Sequence, residues 1–419
     1  MLEVINSAIC GVLLPIALGL VGVFFMIKLR FFFIIHPIRT IRMVISGRGG
    51  FRSLCVALSG TLGVGNIVGV ASAIIMGGAG AVLWLIVSAL LAMGIKYAEA
   101  YLSASHRRAI KGEHYGGAPY YMLDVFKKKR YGRYFGGIFA IGCILNSLTT
   151  GNLVQINAIS GFLTQGRLFF GILFATIIYF VIRGGKNRIE AVSSFIIPLL
   201  SVGYILISLY IIFSNLGGLC VAFSRILEEA FSIKSVLGGA CGFGILSAIR
   251  YGFSRGLLSN EAGCGTATIA HASSSLDPYS QGCFGVFEVF WDTVVLCPLT
   301  AFVILIADTG EQNPMLLAIH SFGKFTGAIG EMFICASCIL FALATVGCQF
   351  YYGLSALDFL TRKKLPRAVF SCLFLTNCAL STIISSSTMW QIADFTIAFL
   401  ALYNIVFLII LSKEIKFCL

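Results

Sequence analysis

The sequence predicts an all-α polytopic membrane protein of about eleven spanning helices, and three observations carry that reading: composition, the length of the apolar runs, and the placement of basic residues. Of 419 residues, 58% are apolar and only 11% charged, whereas soluble domains carry roughly 25% charged residues. So little charge cannot clothe a water-facing surface. A cytosolic enzyme, a nucleic-acid binder and a disordered scaffold are excluded. The apolar runs are continuous, as over residues 81–91, and do not alternate as the strands of a β-barrel would.

A spanning helix needs about 20 predominantly apolar residues. Such runs cover about 6–27, 53–76, 79–104, 133–160, 167–183, 190–214, 236–271, 280–307, 327–357, 366–386 and 390–412. No basic residue precedes the first run, while Lys28 and Arg30 follow it directly. It therefore reads as a retained helix, not a cleaved signal peptide, with the N-terminus outside and the next loop cytoplasmic. Threading all the runs from that start puts most of the 30 Lys and Arg on the cytoplasmic side, Arg250 and Arg255 of the seventh run among them. Only Arg167, Arg225, Lys234 and Lys324 fall outside, Lys96 lies within the third run, and the C-terminus is cytoplasmic. The net charge of +13 is then a topology signal and a contact for anionic lipid headgroups. The cell's inner (plasma) membrane is the expected location.

Other chemistry is sparse. Most of the fourteen Cys lie inside apolar runs and read as small hydrophobes. Cys335 and Cys338 have CxxC spacing but no second pair. The His residues are scattered, which speaks against a transition metal. The glycines of 60–65 lack the Lys-Ser/Thr of a P-loop, so ATP-driven transport has no support. No nucleophile–base pair indicates an enzyme, no cofactor is expected beyond a coupling ion, and no obligate protein partner is evident.

Two Gly-rich interruptions stand out, at 59–66 in the second run and at 238–244 in the seventh. Secondary transporters built of inverted repeats carry a discontinuous helix in each repeat near the bilayer midplane. The two segments are five runs apart, an odd number, so they cross the membrane in opposite directions. The competing reading is close helix–helix packing through small residues. A core divided at 53–215 and 216–419, with 1–52 peripheral, is the corresponding domain expectation. Intramembrane carboxylates are functional candidates by default. Asp292, near the middle of the eighth run and four residues after Glu288, reads as a cation or proton carrier or as a carboxylate bonded to neighbouring helices. Lys96 and Glu99 read as a structural pair, and Arg250, Arg255 and Glu261 as cytoplasmic gate residues.

At these residues the chain resembles the alanine or glycine:cation symporter family, of the five-helix inverted-repeat (LeuT-type) class. The matching blocks include Ser59-Gly60-Thr61-Leu62-Gly63-Val64-Gly65-Asn66, Gly77-Gly78-Ala79-Gly80, Gly151-Asn152-Leu153-Val154-Gln155, Ser259-Asn260-Glu261-Ala262-Gly263 and Tyr351-Tyr352-Gly353. The resemblance implies cation-coupled uptake of a small neutral amino acid on an eleven-helix frame with one peripheral N-terminal helix. Carried over, it places a substrate carboxylate at the amides of Val64 and Gly65, beside Gly63. The substrate ammonium falls at carbonyls of Thr61 and of the break at Gly242. Gln155, Phe243 and Gln349 wall the pocket. One sodium ion would use the Asn66 side chain and the Thr61 carbonyl. A second would use the carbonyls of Ser59 and Leu62 and the Thr345 hydroxyl, although that hydroxyl also reads as bonded to its own i−4 carbonyl. Val64, Ser247, Ala344 and Gln349 stand where the family usually has Thr, Gln, Ser and Trp. The last change enlarges and polarises the pocket.

The expectation is therefore a Na⁺-coupled secondary symporter importing alanine, glycine or D-alanine. A proton-coupled symporter using Asp292 is the alternative, ahead of a passive channel or a non-transporting sensor.

Overall fold

In the computed structural model, residues 6, 8–47, 50–110, 113–126, 128–163, 165–232 and 244–416 are described. The first apolar run becomes α1 (Leu14–Lys28), entered through a π turn at Ile9–Leu13. A short amphipathic helix, α2 (Pro37–Ser46), leads to the second run. That run is divided into α3 (Phe51–Thr61) and α4 (Val68–Gly77). α5 (Ala81–Ser105) is followed by a hairpin, β1 (Arg108–Ile110) paired antiparallel with β2 (Glu113–Tyr115), and by α6 (Ala118–Val125). α7 (Lys129–Leu148) passes through a π turn at Thr149–Val154 into α8 (Gln155–Ser160). Then come α9 (Arg167–Arg183), α10 (Gly185–Ser214) and α11 (Leu216–Ala230).

The second half opens with α12 (Ile245–Asn260) and α13 (Thr268–Ala272). α14 (Pro278–Val289) begins at an Asp277 side-chain cap with Pro278 in its first turn, where proline's missing N–H costs nothing. It continues through a π turn at Phe290–Leu296 into α15 (Cys297–Ala307). α16 (Pro314–Leu360), α17 (Lys364–Leu380) and α18 (Ser386–Ile410) complete the chain.

Eight helices among the described residues are long and apolar enough to cross a membrane. The other three expected runs differ for physical reasons. Runs 53–76 and 236–271 are interrupted inside, and α9 is short at 17 residues. Two helical segments escape an apolar-run reading. α11 is amphipathic, burying Ala222, Ile226 and Ala230 while Arg225 pairs with Glu229 at 2.8 Å. The first part of α16 precedes the expected ninth run and is set off from it at Gly327, whose φ of 63° only glycine adopts without strain.

Contacts identify the two ends of the bundle. At one end Asn6 Nδ2 donates to Gln391 O at 2.6 Å and Cys10 Sγ to Asp394 O at 3.6 Å, joining the start of the chain to the start of α18. At the other, basic end the 3₁₀ turn that follows α18 (Leu411–Glu414) meets the end of α5, where His106 Nε2 lies 3.0 Å from Glu414 Oε2. Arg250 and Arg255 belong to the first end: a Cβ on Gly11 would lie 3.5 Å from the Arg250 side chain, and Arg255 pairs with Asp394 at 3.1 Å beneath the Trp390 ring. The expected cytoplasmic gate at these arginines is therefore corrected. They knit α12 to the beginning of α18, opposite the basic end.

Candidate functional site

The first interruption lies where its glycines indicated. α3 stops at Thr61, Leu62 turns out with ψ of 85°, Gly63 is extended, and a 3₁₀ turn at Val64–Asn66 precedes α4. Residues 53–73 are buried without exception. Gly63 is required by proximity, because a Cβ there would stand 2.5 Å from Gln155 Oε1 and 2.9 Å from Thr345 Oγ1. Gly65 lies against the α12 backbone, its Cβ position 3.3 Å from Ser259 Cα.

A second interruption follows directly. Between α12 and α13 the chain is unwound, with φ of 48° at Glu261, 91° at Gly263 and 73° at Gly265. These residues are buried too. The expected break at 238–244, with Gly242 and Phe243, lies outside the described residues except for Gly244, which caps α12 in an extended conformation. The unwinding that the structure does describe falls in the Ser-Asn-Glu-Ala-Gly block, some twenty residues on. Within the described part of the same run, the paired Gly263 and Gly265 are the usable signal for this unwinding.

Around the two breaks lie the expected site residues that the structure describes. The Val64 amide donates to Gln155 Oε1 at 3.0 Å, so the group expected to hold a carboxylate is held by a carboxamide oxygen. Thr345 Oγ1 lies 3.0 Å from Leu62 O, beside which it is expected, and 2.9 Å from Phe341 O, its own i−4 carbonyl. The Ser59 hydroxyl turns away, donating to Val56 O and accepting from Ser193 Oγ. The Thr61 hydroxyl folds back onto α3 at Ala57 and Leu58. Gln349 Nε2 donates to Glu261 Oε1 at 2.9 Å and contacts Gly60 O at 3.4 Å. Gly151, in the π turn, admits Gln349: a Cβ there would be 2.6 Å from its Cβ and Cγ.

Asn66 binds the deepest cluster. Its Nδ2 donates to Asp292 Oδ1 at 2.7 Å and to Asp292 O at 3.0 Å, and lies 3.2 Å from Ser259 Oγ. Asp292 Oδ2 accepts from Ser259 Oγ at 2.7 Å and Thr293 Oγ1 at 2.5 Å. A π turn carries an extra residue per turn and re-aims the side chains on it. The two mid-chain π turns hold Thr150 and Asp292, and Gln155 follows the first directly. Among the described residues, the buried oxygens here without a hydrogen-bond partner include Asn66 Oδ1, Thr150 Oγ1, Asn152 Oδ1, Gln349 Oε1 and Tyr352 Oη. Buried polar atoms are nearly always paired, so orphans clustered at a helix break mark a place made for a polar ligand. Ser259 and Glu261 belong to this constellation and were missed as ligand-site residues.

The remaining buried charges rearrange an expected pair. Lys96 does not pair with Glu99. Its Nζ contacts Glu288 Oε1 at 3.0 Å and donates to Asn260 O at 2.9 Å, while His271 Nε2 lies 2.9 Å from Glu288 Oε2. Glu99 instead accepts from Gly265 N and Asn404 Nδ2, holding the second unwound stretch. Lys96 and Glu99 sit one turn apart on α5, but each is recruited by a different part of the fold.

Comparisons with known proteins agree with this architecture. The family model of the sodium:alanine symporter family matches residues 1–419. An uncharacterized transporter of Bacillus subtilis, YflA, is 32% identical over 432 residues, covering 99% of this chain and 91% of that protein. The sodium/alanine symporter AgcS of Methanococcus maripaludis is 32% identical over 86% of this chain and 81% of its own length. Among solved structures, a Na⁺-coupled sialic acid symporter superposes with a TM-score of 0.54 at 14% identity, covering 98% of this chain and 83% of that one. That likeness concerns the LeuT-type fold alone. Matched along its whole length, this chain belongs to the sodium:alanine symporter family and is a multi-pass membrane transporter, not an enzyme.

Proposed function

We propose that the protein is a secondary symporter that imports a small neutral amino acid together with Na⁺ across the plasma membrane, with its N-terminus outside and its C-terminus in the cytoplasm. The observation that carries this is the buried helix interruption at 62–67, lined by orphaned oxygens and abutting a second unwound stretch. A zwitterion and a small cation need what such a break offers, main-chain donors on one side and oxygen acceptors on the other. The substrate carboxylate takes the amides of Val64 and Gly65, displacing Gln155 Oε1 from Val64, and Gln349 and Gly63 bound the space for its side chain. Na⁺ takes Asn66 Oδ1 and the Thr61 carbonyl, and a second ion takes Leu62 O, Thr345 Oγ1 and Ser59 O. Residues 53–215 and 216–419 act as the two repeats of the transport core. One Na⁺ gains about 2.3 kcal/mol per 100 mV of membrane potential.

Asp292 favours one second reading, because it is bonded directly to Asn66. A carboxylate there serves a proton as readily as it serves Na⁺. The test for both is uptake into proteoliposomes of purified protein, with a panel of amino acids including alanine, glycine and D-alanine. Accumulation that requires an inward Na⁺ gradient supports the proposal. Accumulation driven by a proton gradient without Na⁺, lost in Asp292→Asn, replaces Na⁺ by H⁺. Saturable binding without flux, or flux without accumulation, overturns symport.

A further inference from the structure

At the basic end, away from the helix breaks, α6, the start of α7 and the end of α16 enclose an open cleft of about 730 Å³. Arg108, Lys129, Arg133, Arg362 and Lys363 line it against a single acid, Asp358, which is taken by Arg367 at 2.9 Å. Among the described residues, none of Lys129, Arg133, Arg362 and Lys363 forms an ion pair. Two of the guanidinium groups are held in place by rings. Arg362 stands 5.0 Å over Tyr115 and Arg108 5.6 Å over Tyr120, while Arg108 also pairs with Asp124 at 2.8 Å. A cleft with so many unneutralised cations repels itself and attracts a multivalent anion. Planar guanidinium groups match phosphate oxygens in pairs.

Depth points the same way. Tyr131 and Tyr134 are exposed on the first turns of α7, where aromatic side chains mark the headgroup region of a bilayer. We propose that this cleft is a binding site for a phosphate group, carried by an anionic phospholipid or by a free phosphate. The helices that frame it also reach the helix breaks: α7 runs on through the π turn to Gln155, and α16 carries Thr345 and Gln349. An anion bridging α6–α7 to the end of α16 therefore clamps two of the elements that frame the transport site.

The full chain, purified in neutral detergent, is titrated in two arms, short-chain phosphatidylglycerol and inorganic phosphate, with short-chain phosphatidylcholine as the neutral reference. Binding is read directly and as a rise in melting temperature. Preference for phosphatidylglycerol over the reference assigns the site to lipid, and saturable binding of inorganic phosphate assigns it to a free phosphate. In either arm Arg133→Gln with Arg362→Gln should weaken binding at least about tenfold, and the exposed pair Arg183→Gln with Arg188→Gln should not. If the first double variant does not fold, Lys129→Gln with Lys363→Gln replaces it. The proposal is overturned if neither probe binds better than the reference, or if the Arg183/Arg188 pair weakens binding equally.

Discussion

Replacing Asn66 by alanine tests the deepest part of the site. The side chain makes two separable contributions, Nδ2 donating to Asp292 Oδ1 at 2.7 Å and Oδ1 standing free. A hydrogen bond to a charged group is worth about 1.5–3 kcal/mol. Asp292 keeps Ser259 and Thr293 as donors in the variant, so the stability loss belongs at the lower end, about 1.5 kcal/mol. If Oδ1 is an ion ligand, its loss costs binding as well, and half-saturating Na⁺ should rise ten- to a hundredfold, ~1.4–2.7 kcal/mol. Cys297→Ala is the control, since its Sγ lies 3.6 Å from Nδ2 and 3.4 Å from Ser259 Oγ but supplies no oxygen. The assay is initial uptake against Na⁺ concentration in proteoliposomes, with melting in detergent alongside. A lowered melting temperature with half-saturating Na⁺ within about threefold of wild type, under ~0.7 kcal/mol, would refute the ion-ligand role and leave Asn66 a structural donor.

Four further outcomes are expected. Gly63→Ala drives a methyl into Gln155 Oε1 and Thr345 Oγ1 and should abolish uptake while the protein still purifies as a folded monodisperse species; normal uptake would dismiss the close approach. Thr345→Val removes the hydroxyl at Leu62 O and should raise half-saturating Na⁺ about tenfold, with Thr345→Ser restoring it. Gln349→Trp leaves Glu261 without its amide donor and fills the space beside Gly151, so competition assays should narrow toward alanine and glycine. Lys96→Met strands Glu288 and should cost about 3–5 kcal/mol, seen as a large fall in melting temperature, with Glu288→Gln in the same chain recovering much of it.

The first break is legible in sequence because Gly63 and Gly65 sit at the positions where the chain leaves the helix and another helix approaches. The unwinding after α12 is not read from the sequence, because glycine abundance draws attention to 238–244, while the fewer Gly263 and Gly265 hold the positive φ that this turn needs. Position along the run is a poor guide to the arginines too. Arg250 and Arg255 lie on α12, which starts at Ile245, and Arg255 reaches Asp394 near the start of α18. Lys96 and Glu99 mark a different limit. Spacing along a helix shows which side chains share a face, but the partner is set by what packs on that face, here Glu288 of α14 for one and the unwound backbone at Gly265 for the other.

Those buried charges give a physical reason for cation coupling that no single residue supplies. Lys96 is matched by Glu288, and Arg255 by Asp394. Glu99, Glu261 and Asp292 have no ion-pair partner among the described residues and are held by amide and hydroxyl donors. An ionised carboxylate in a low-dielectric interior costs several kcal/mol after relaxation, and neutral donors offset only part of it. Of the three carboxylates, only Asp292 is bonded to a residue of the first break, and through Asn66 it stands next to an unpartnered oxygen. Under the proposed symport, a cation held beside Asn66 Oδ1 would lie next to the Asp292 carboxylate and the break that the substrate is proposed to occupy, which would link the two binding events.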